Sequence, residues 1–214
     1  MKILIWGQSG QIAKYISNRI NLISNITIDA VGRSDNSEFL WYGHNFVKFY
    51  KPKEYTKSSV QSILNDSMPD INIIFLAAGS NRTLRCSKED IDFINVDVPS
   101  IIATWCSLFS EQKLIIYFGS TAEYAGCLSN SYVDTKTEPR PISDYANAKT
   151  NISKRLQSIA ISSDNVSATK LTLASVVGGS EHHTRLIPRI YHSCINNSKL
   201  DIMNSRNARD YISI

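Results

Sequence analysis

Apolar and polar positions change period repeatedly along this 214-residue chain. Residues 2–6 form a short apolar run that stops at Gly7, after which Ile16 and Ile20 recur at helical spacing. That pattern predicts a strand, a glycine turn and a helix. Ile26, Ile28, Ala30 and Val31 predict a second strand, ending at Gly32 and Arg33. A third is expected over 45–50, closed by Pro52, with a short helix over 56–64. Residues 71–77 read as a fourth strand running into Ala77, Ala78 and Gly79, and 114–118 as a fifth. Residues 91–109 are mostly helical, divided by Pro99, whose missing N–H removes a hydrogen bond and kinks the axis. Asn95 lies four residues before it, where a side chain either ties the kink or faces solvent. A helix over 144–160 and a strand over 168–173 follow a Ser, Asn, Thr and Pro-rich loop. Strand and helix in alternation argue an α/β fold with a parallel sheet wrapped by helices.

Composition narrows the function classes. With 43% hydrophobic and 20% charged residues, the chain is an ordinary globular sequence. A net charge of +4 without a basic block does not indicate nucleic acid. No apolar stretch is long enough to span a bilayer, and the N-terminal run lacks a cleavage site, so a cytoplasmic protein with no membrane partner is expected. Cys86, Cys106, Cys127 and Cys194 form no CxxC pair and read as free thiols of a reducing compartment. Glu181, His182 and His183 are adjacent rather than convergent, so no metal site is expected.

Candidate chemistry lies in four stretches. Gly7 suits a tight turn, and Gly10 lets backbone approach a pyrophosphate at a helix N-terminus, where N–H groups and the helix dipole favour anions. Ala13 is small enough for close helix–strand packing. At the tip of the second strand an acidic residue serves the ribose of NAD, and an arginine the 2′-phosphate of NADP. Gly32 takes the acidic position and Arg33 follows, which favours NADP(H) over NAD(H); Asp29, within the strand, is the less favoured alternative. Tyr145 and Lys149, at i and i+4, face one side of a helix, and a cation beside a phenol favours the phenolate. Ser120 and Thr121 follow a strand end, the edge where open α/β sheets bind ligands, although a turn or helix cap would also use such hydroxyls.

Together, Gly7-x-x-Gly10-x-x-Ala13, Ala77-Ala78-Gly79, Ser120-Thr-Ala-Glu123, Tyr145-x-x-x-Lys149 and Arg209-Asp-Tyr211 resemble the extended short-chain dehydrogenase/reductase family of sugar-nucleotide epimerases, dehydratases and reductases. The resemblance implies a Rossmann-like, doubly wound parallel sheet with a truncated C-terminal substrate cap. It implies a cofactor and catalytic domain over 1–178 and an incomplete substrate subdomain over 179–214. Thr121, Tyr145 and Lys149 match the catalytic set. Gly7, Gly10, Gln11, Ile12, Arg33, Ala77, Ala78, Gly79 and Asn95, with Tyr145 and Lys149, match the cofactor side. Ser120, Thr121, Glu123 and Arg209 match the substrate side. Departures include Trp6 before the first glycine, Tyr50 or Lys51 where relatives place an acid near adenine, and Ser175 where an Asn often meets substrate. Ala122 replaces the first acid of the dehydratase pair, which counts against dehydration. The expected activity is 4-keto reduction or 4-epimerisation of a nucleotide-linked sugar, in cell-surface polysaccharide precursor synthesis. A cofactor-binding regulator or inactive truncated homologue is the alternative. Relatives often pair through helices that here span 91–109 and 144–160, so a homodimer stays open.

Overall fold

The computed structural model describes residues 1–20, 22–32, 46–52, 54, 56–67, 70–79, 87–127, 132–178, 181, 183–202 and 209–213. Arg33, Cys86 and His182, named above, lie outside the described residues. Two compact units are present, Met1–Thr172 and Leu173–Ile214.

The first unit is built on a six-stranded sheet of order β3-β2-β1-β4-β5-β6. Its strands are β1 (Lys2–Trp6), β2 (Thr27–Val31), β3 (Phe46–Tyr50), β4 (Ile71–Leu76), β5 (Lys113–Ser120) and β6 (Val166–Leu173). The β1–β2, β1–β4, β2–β3 and β4–β5 pairs are parallel. This is the doubly wound order, in which the chain reverses direction across the sheet between β1 and β4 and leaves a crevice at their C-terminal ends.

Alternation along β1 explains the layers. Ile3 and Ile5 point into a cluster with Ile28 and Ala13 of helix α1 (Gln11–Ile20), with Ile16 and Ile20 packed against it. Leu4 and Trp6 point the other way, into the larger cluster with α2 (Lys57–Ser67), α4 (Val98–Cys106) and α5 (Asp144–Ser162). Trp6, 1% exposed, therefore fills the core beneath the sheet rather than crowding the glycine turn. Burial pushes the Cys106 thiol up to about 12, as suits a packing residue rather than a reactive one.

The stretch divided by Pro99 is more irregular than a kinked helix. A short α3 (Lys88–Asp92) runs into a π-helical turn, Phe93–Asp97, and Pro99 follows as the second residue of α4. Val98 N–H bonds back to the Phe93 carbonyl, and the Asn95 amide donates to the Ile91 carbonyl at 2.9 Å. Asn95 is 1% exposed, so it ties the irregular turn and does not face solvent.

The second unit contains β7 (Ser175–Val177), α6 (Leu186–Ile195) and β8 (Tyr211–Ser213), with β7 and β8 parallel. Neither these strands nor α6 emerges from the hydropathy pattern. Among the described residues no helix is long and apolar enough to cross a membrane.

Candidate functional site

The glycine turn leaves β1 at the point where the sheet order reverses. Gly7 has a φ of 99°, a conformation that disfavours any side chain, and a Cβ there would run into the Ala78 backbone. The turn is fixed by Gly7 and Gln8 N–H groups donating to the Val31 carbonyl at 2.8 and 2.9 Å, and by Ala77 N–H donating to Trp6. Gly10 N–H closes the turn on Gly7, and Lys14 N–H makes the first helical bond, to Gly10. Gly7, Gly10, Ala77 and Ala78 thus form one cradle of bare backbone at the start of α1, with Gln11 and Ile12 in the first turn of that helix. Such a cradle fits a pyrophosphate, which needs close backbone approach and a helix N-terminus.

Beyond β4 the site continues to Gly79. A Cβ at Gly79 would stand 3.2 Å from Asn95 Oδ1 and 3.5 Å from Lys149 Nζ. The end of β4, the π-helical turn and α5 therefore meet at one place. Ser143 caps α5 by accepting the Ala146 N–H at 3.2 Å, which sets the helix phase one residue before it begins. Tyr117 on β5 donates to the Lys149 carbonyl at 3.3 Å and anchors the same turn of α5 to the sheet. Lys149 Nζ lies 5.8 Å from the centre of the Tyr145 ring. Lys149 is buried while Tyr145 is half-buried. Burial lowers the Lys149 ammonium to about 8; the Glu123 carboxylate pulls it up, and the Lys170 ammonium pushes it down.

The hydroxyl pair after β5 divides its labour. Ser120 caps a short 3₁₀ turn, Thr121–Tyr124, accepting the Ala122 N–H at 3.2 Å. Thr121 is exposed at the start of that turn. Glu123 is fully buried: Oε1 accepts the Ser120 N–H at 2.8 Å, and Oε2 pairs with Lys170 of β6 at 2.5 Å. Ser120 and Glu123, expected on the substrate side, are thus engaged within the protein, because the capping box that shapes the turn uses both side chains. Lys170 was not legible as a site residue; β6 brings it to Glu123 across 47 positions of sequence.

The model of the NAD dependent epimerase/dehydratase family matches residues 3–214. The chain belongs to that family. No curated protein matches it in sequence. Among solved structures, this epimerase/dehydratase family member is similar to a point mutant of a UDP-glucuronic acid 4-epimerase from Bacillus cereus, in complex with UDP-4-deoxy-4-fluoro-glucuronic acid and NAD. That likeness has a TM-score of 0.83 at 16% identity, over 100% of this chain and 69% of the other. A UDP-glucose 4-epimerase from Thermotoga maritima, solved with UDP-glucose, matches at TM-score 0.81 and 16% identity over 100% and 69%. A dTDP-glucose 4,6-dehydratase from Bacillus anthracis, solved with NAD, matches at TM-score 0.79 and 14% identity over 100% and 67%. At such identities these likenesses establish the Rossmann-like fold.

Within the same family member, Arg209 is exposed just ahead of β8 in the second unit, where Ser175 N–H donates to the Asp210 carbonyl at 3.0 Å. Glu181 pairs with Arg185 at 2.9 Å. Asp29, the alternative ribose contact, is fully buried within β2 and pairs with Lys2 at 3.0 Å, so it does not reach the strand tip.

Proposed function

We propose that this chain is an NAD(P)-dependent enzyme acting on a nucleotide-linked sugar by 4-keto reduction or 4-epimerisation. The observation that carries the reading is the meeting of Gly79, Asn95 and Lys149 one helical turn from Tyr145, at the sheet's switch point. Support also comes from the three solved neighbours, whose bound NAD, UDP-sugar or UDP-sugar analogue belong to that chemistry.

When bound, the nicotinamide ring supplies the hydride acceptor or donor. The cradle of Gly7, Gly10, Ala77 and Ala78 would hold the pyrophosphate, together with Gln11 and Ile12 of the first turn of α1. Lys149 would hold the nicotinamide ribose and places a positive charge near the Tyr145 ring. Tyr145 takes or gives the proton at the sugar oxygen, and the exposed Thr121 hydroxyl fixes that oxygen. Dehydration needs an acid beside the sugar; Ala122 has none, and Glu123 is enclosed with both oxygens engaged. The cofactor in this reading is a nicotinamide dinucleotide: Arg33 speaks for NADP(H) on sequence grounds, and the NAD in the neighbours' complexes speaks for NAD(H).

The test is cofactor titration followed by a panel of UDP- and dTDP-linked 4-keto sugars and 4-epimer pairs. Saturable binding with turnover of at least one member is expected. Binding without turnover across the panel contradicts the enzymatic reading.

A further inference from the structure

Lys170 has no part in the proton transfer above, yet it reaches the buried carboxylate of the turn that begins at Thr121. Its ammonium meets a carboxylate that is 0% exposed, while its own side chain is 22% exposed. Lys48–Asp66 shows the contrast, with both side chains about half or more exposed (47% and 64%) and a separation of 3.5 Å. The Glu123–Lys170 contact is also built into the strand: a Cβ at Gly119 would stand 2.6 Å from Lys170 Cε and 2.7 Å from Glu123 Oε1. A methyl there would push the Lys170 chain or the Glu123 carboxylate away from where they meet. Lys170 Nζ further lies 5.5 Å from the centre of the Tyr124 ring, in the same 3₁₀ turn.

One buried carboxylate thus serves two lysines. Its oxygens are held by Ser120 N–H and Lys170, and its charge acts on Lys149. We propose that Lys170 is a positioning residue of this site: through Glu123 it fixes the turn that carries Thr121, and it governs how strongly the buried carboxylate supports the Lys149 ammonium. The inference rests on the reading above only for why the charge of Lys149 matters.

The groups facing Lys149 allow opposite signs for two variants. Tyr145 lies on its own helix, Glu123 on the 3₁₀ turn and Lys170 on β6; Tyr117 of β5 meets the Lys149 backbone carbonyl, and Asn95 and Gly79 bring no charge. Removing Lys170 takes away a like charge and leaves Glu123 uncompensated, so Lys149 keeps its proton to higher pH. Removing Glu123 does the reverse.

The experiment follows the Lys149 side chain by NMR through a pH titration of the full chain, assigned by loss of its signal in Lys149→Met. Lys170→Met is expected to shift the midpoint to higher pH, Glu123→Gln to lower pH, and Lys170→Arg to leave it near the wild-type value. A folded Lys170→Met with an unmoved midpoint overturns the proposal. Should Lys170→Met not fold, a Glu123→Gln midpoint that fails to fall overturns it equally. The titration needs no substrate, so absence of turnover on the sugar panel would sink the enzymatic reading and leave this result standing. Where turnover is found, the alkaline limb of its pH profile is expected to move in the same directions.

Discussion

Lys149 Nζ stands 5.8 Å from the centre of the Tyr145 ring, one turn along α5, and does so from a buried position. An ammonium so enclosed holds its proton weakly, which makes its charge a pH-dependent feature of the site. Burial places its loss near pH 8 rather than at the ordinary lysine value of 10.5. Activity that needs the ammonium is therefore lost as pH rises through that range. The prediction is an alkaline limb in kcat/KM with a midpoint near pH 8, read from initial rates across about pH 6 to 10. A profile flat over that span contradicts the role given to Lys149.

The same burial carries a stability cost. The folded value, about 8, lies below the unfolded one, so between them the unfolded chain binds more protons and stability rises with pH. At pH 7 the fold bears the full cost of the buried charge, on the order of 3 kcal/mol. Lys149→Met is expected to raise Tm by several degrees at pH 7 while abolishing turnover, with the gain shrinking in strongly alkaline buffer. Paired thermal melts at the two pH values check this, and a lower Tm for the variant at pH 7 would refute it.

Gly7 is the position least able to accept a side chain. Its φ of 99° and the Ala78 backbone behind it leave no space for a methyl. Gly7→Ala should cost well over 1 kcal/mol and weaken cofactor binding by displacing the Ala77–Ala78 segment. Thermal melting and cofactor titration read the two effects, and wild-type values in both would show that the cradle is not where the pyrophosphate sits.

Arg33 bears on cofactor choice from sequence alone. Arg33→Ala is expected to weaken NADP(H) by about tenfold or more, the loss of a charged hydrogen bond, and to leave NAD(H) nearly unchanged. Equal weakening of both cofactors would remove the phosphate role and favour NAD(H).

The opening of the chain was readable because its signals are local. The apolar run of β1, a glycine at the strand end and the 3.6 spacing of α1 all lie within about twenty residues. Tyr145 and Lys149 were readable for the same reason, being one helical turn apart. Burial and long-range pairing were not. Glu123 sits in a motif where an acid meets substrate, and only the fold reveals that Ser120 and Lys170 enclose it. The π-helical turn escaped because Pro99 drew the irregularity to itself, whereas the extra residue is absorbed at Phe93–Asp97. Helix α6 carries Pro188 in its first turn, where proline is tolerated.

The central claim is that the Tyr145 phenol transfers the proton at the sugar oxygen while the rest of the site binds the cofactor without it. Tyr145→Phe tests this most directly, with the cofactor Kd and the turnover number measured on the same preparation. The account predicts an unchanged Kd and a loss of turnover of about a hundredfold or more. A phenylalanine variant that turns over as fast as the wild type would contradict it.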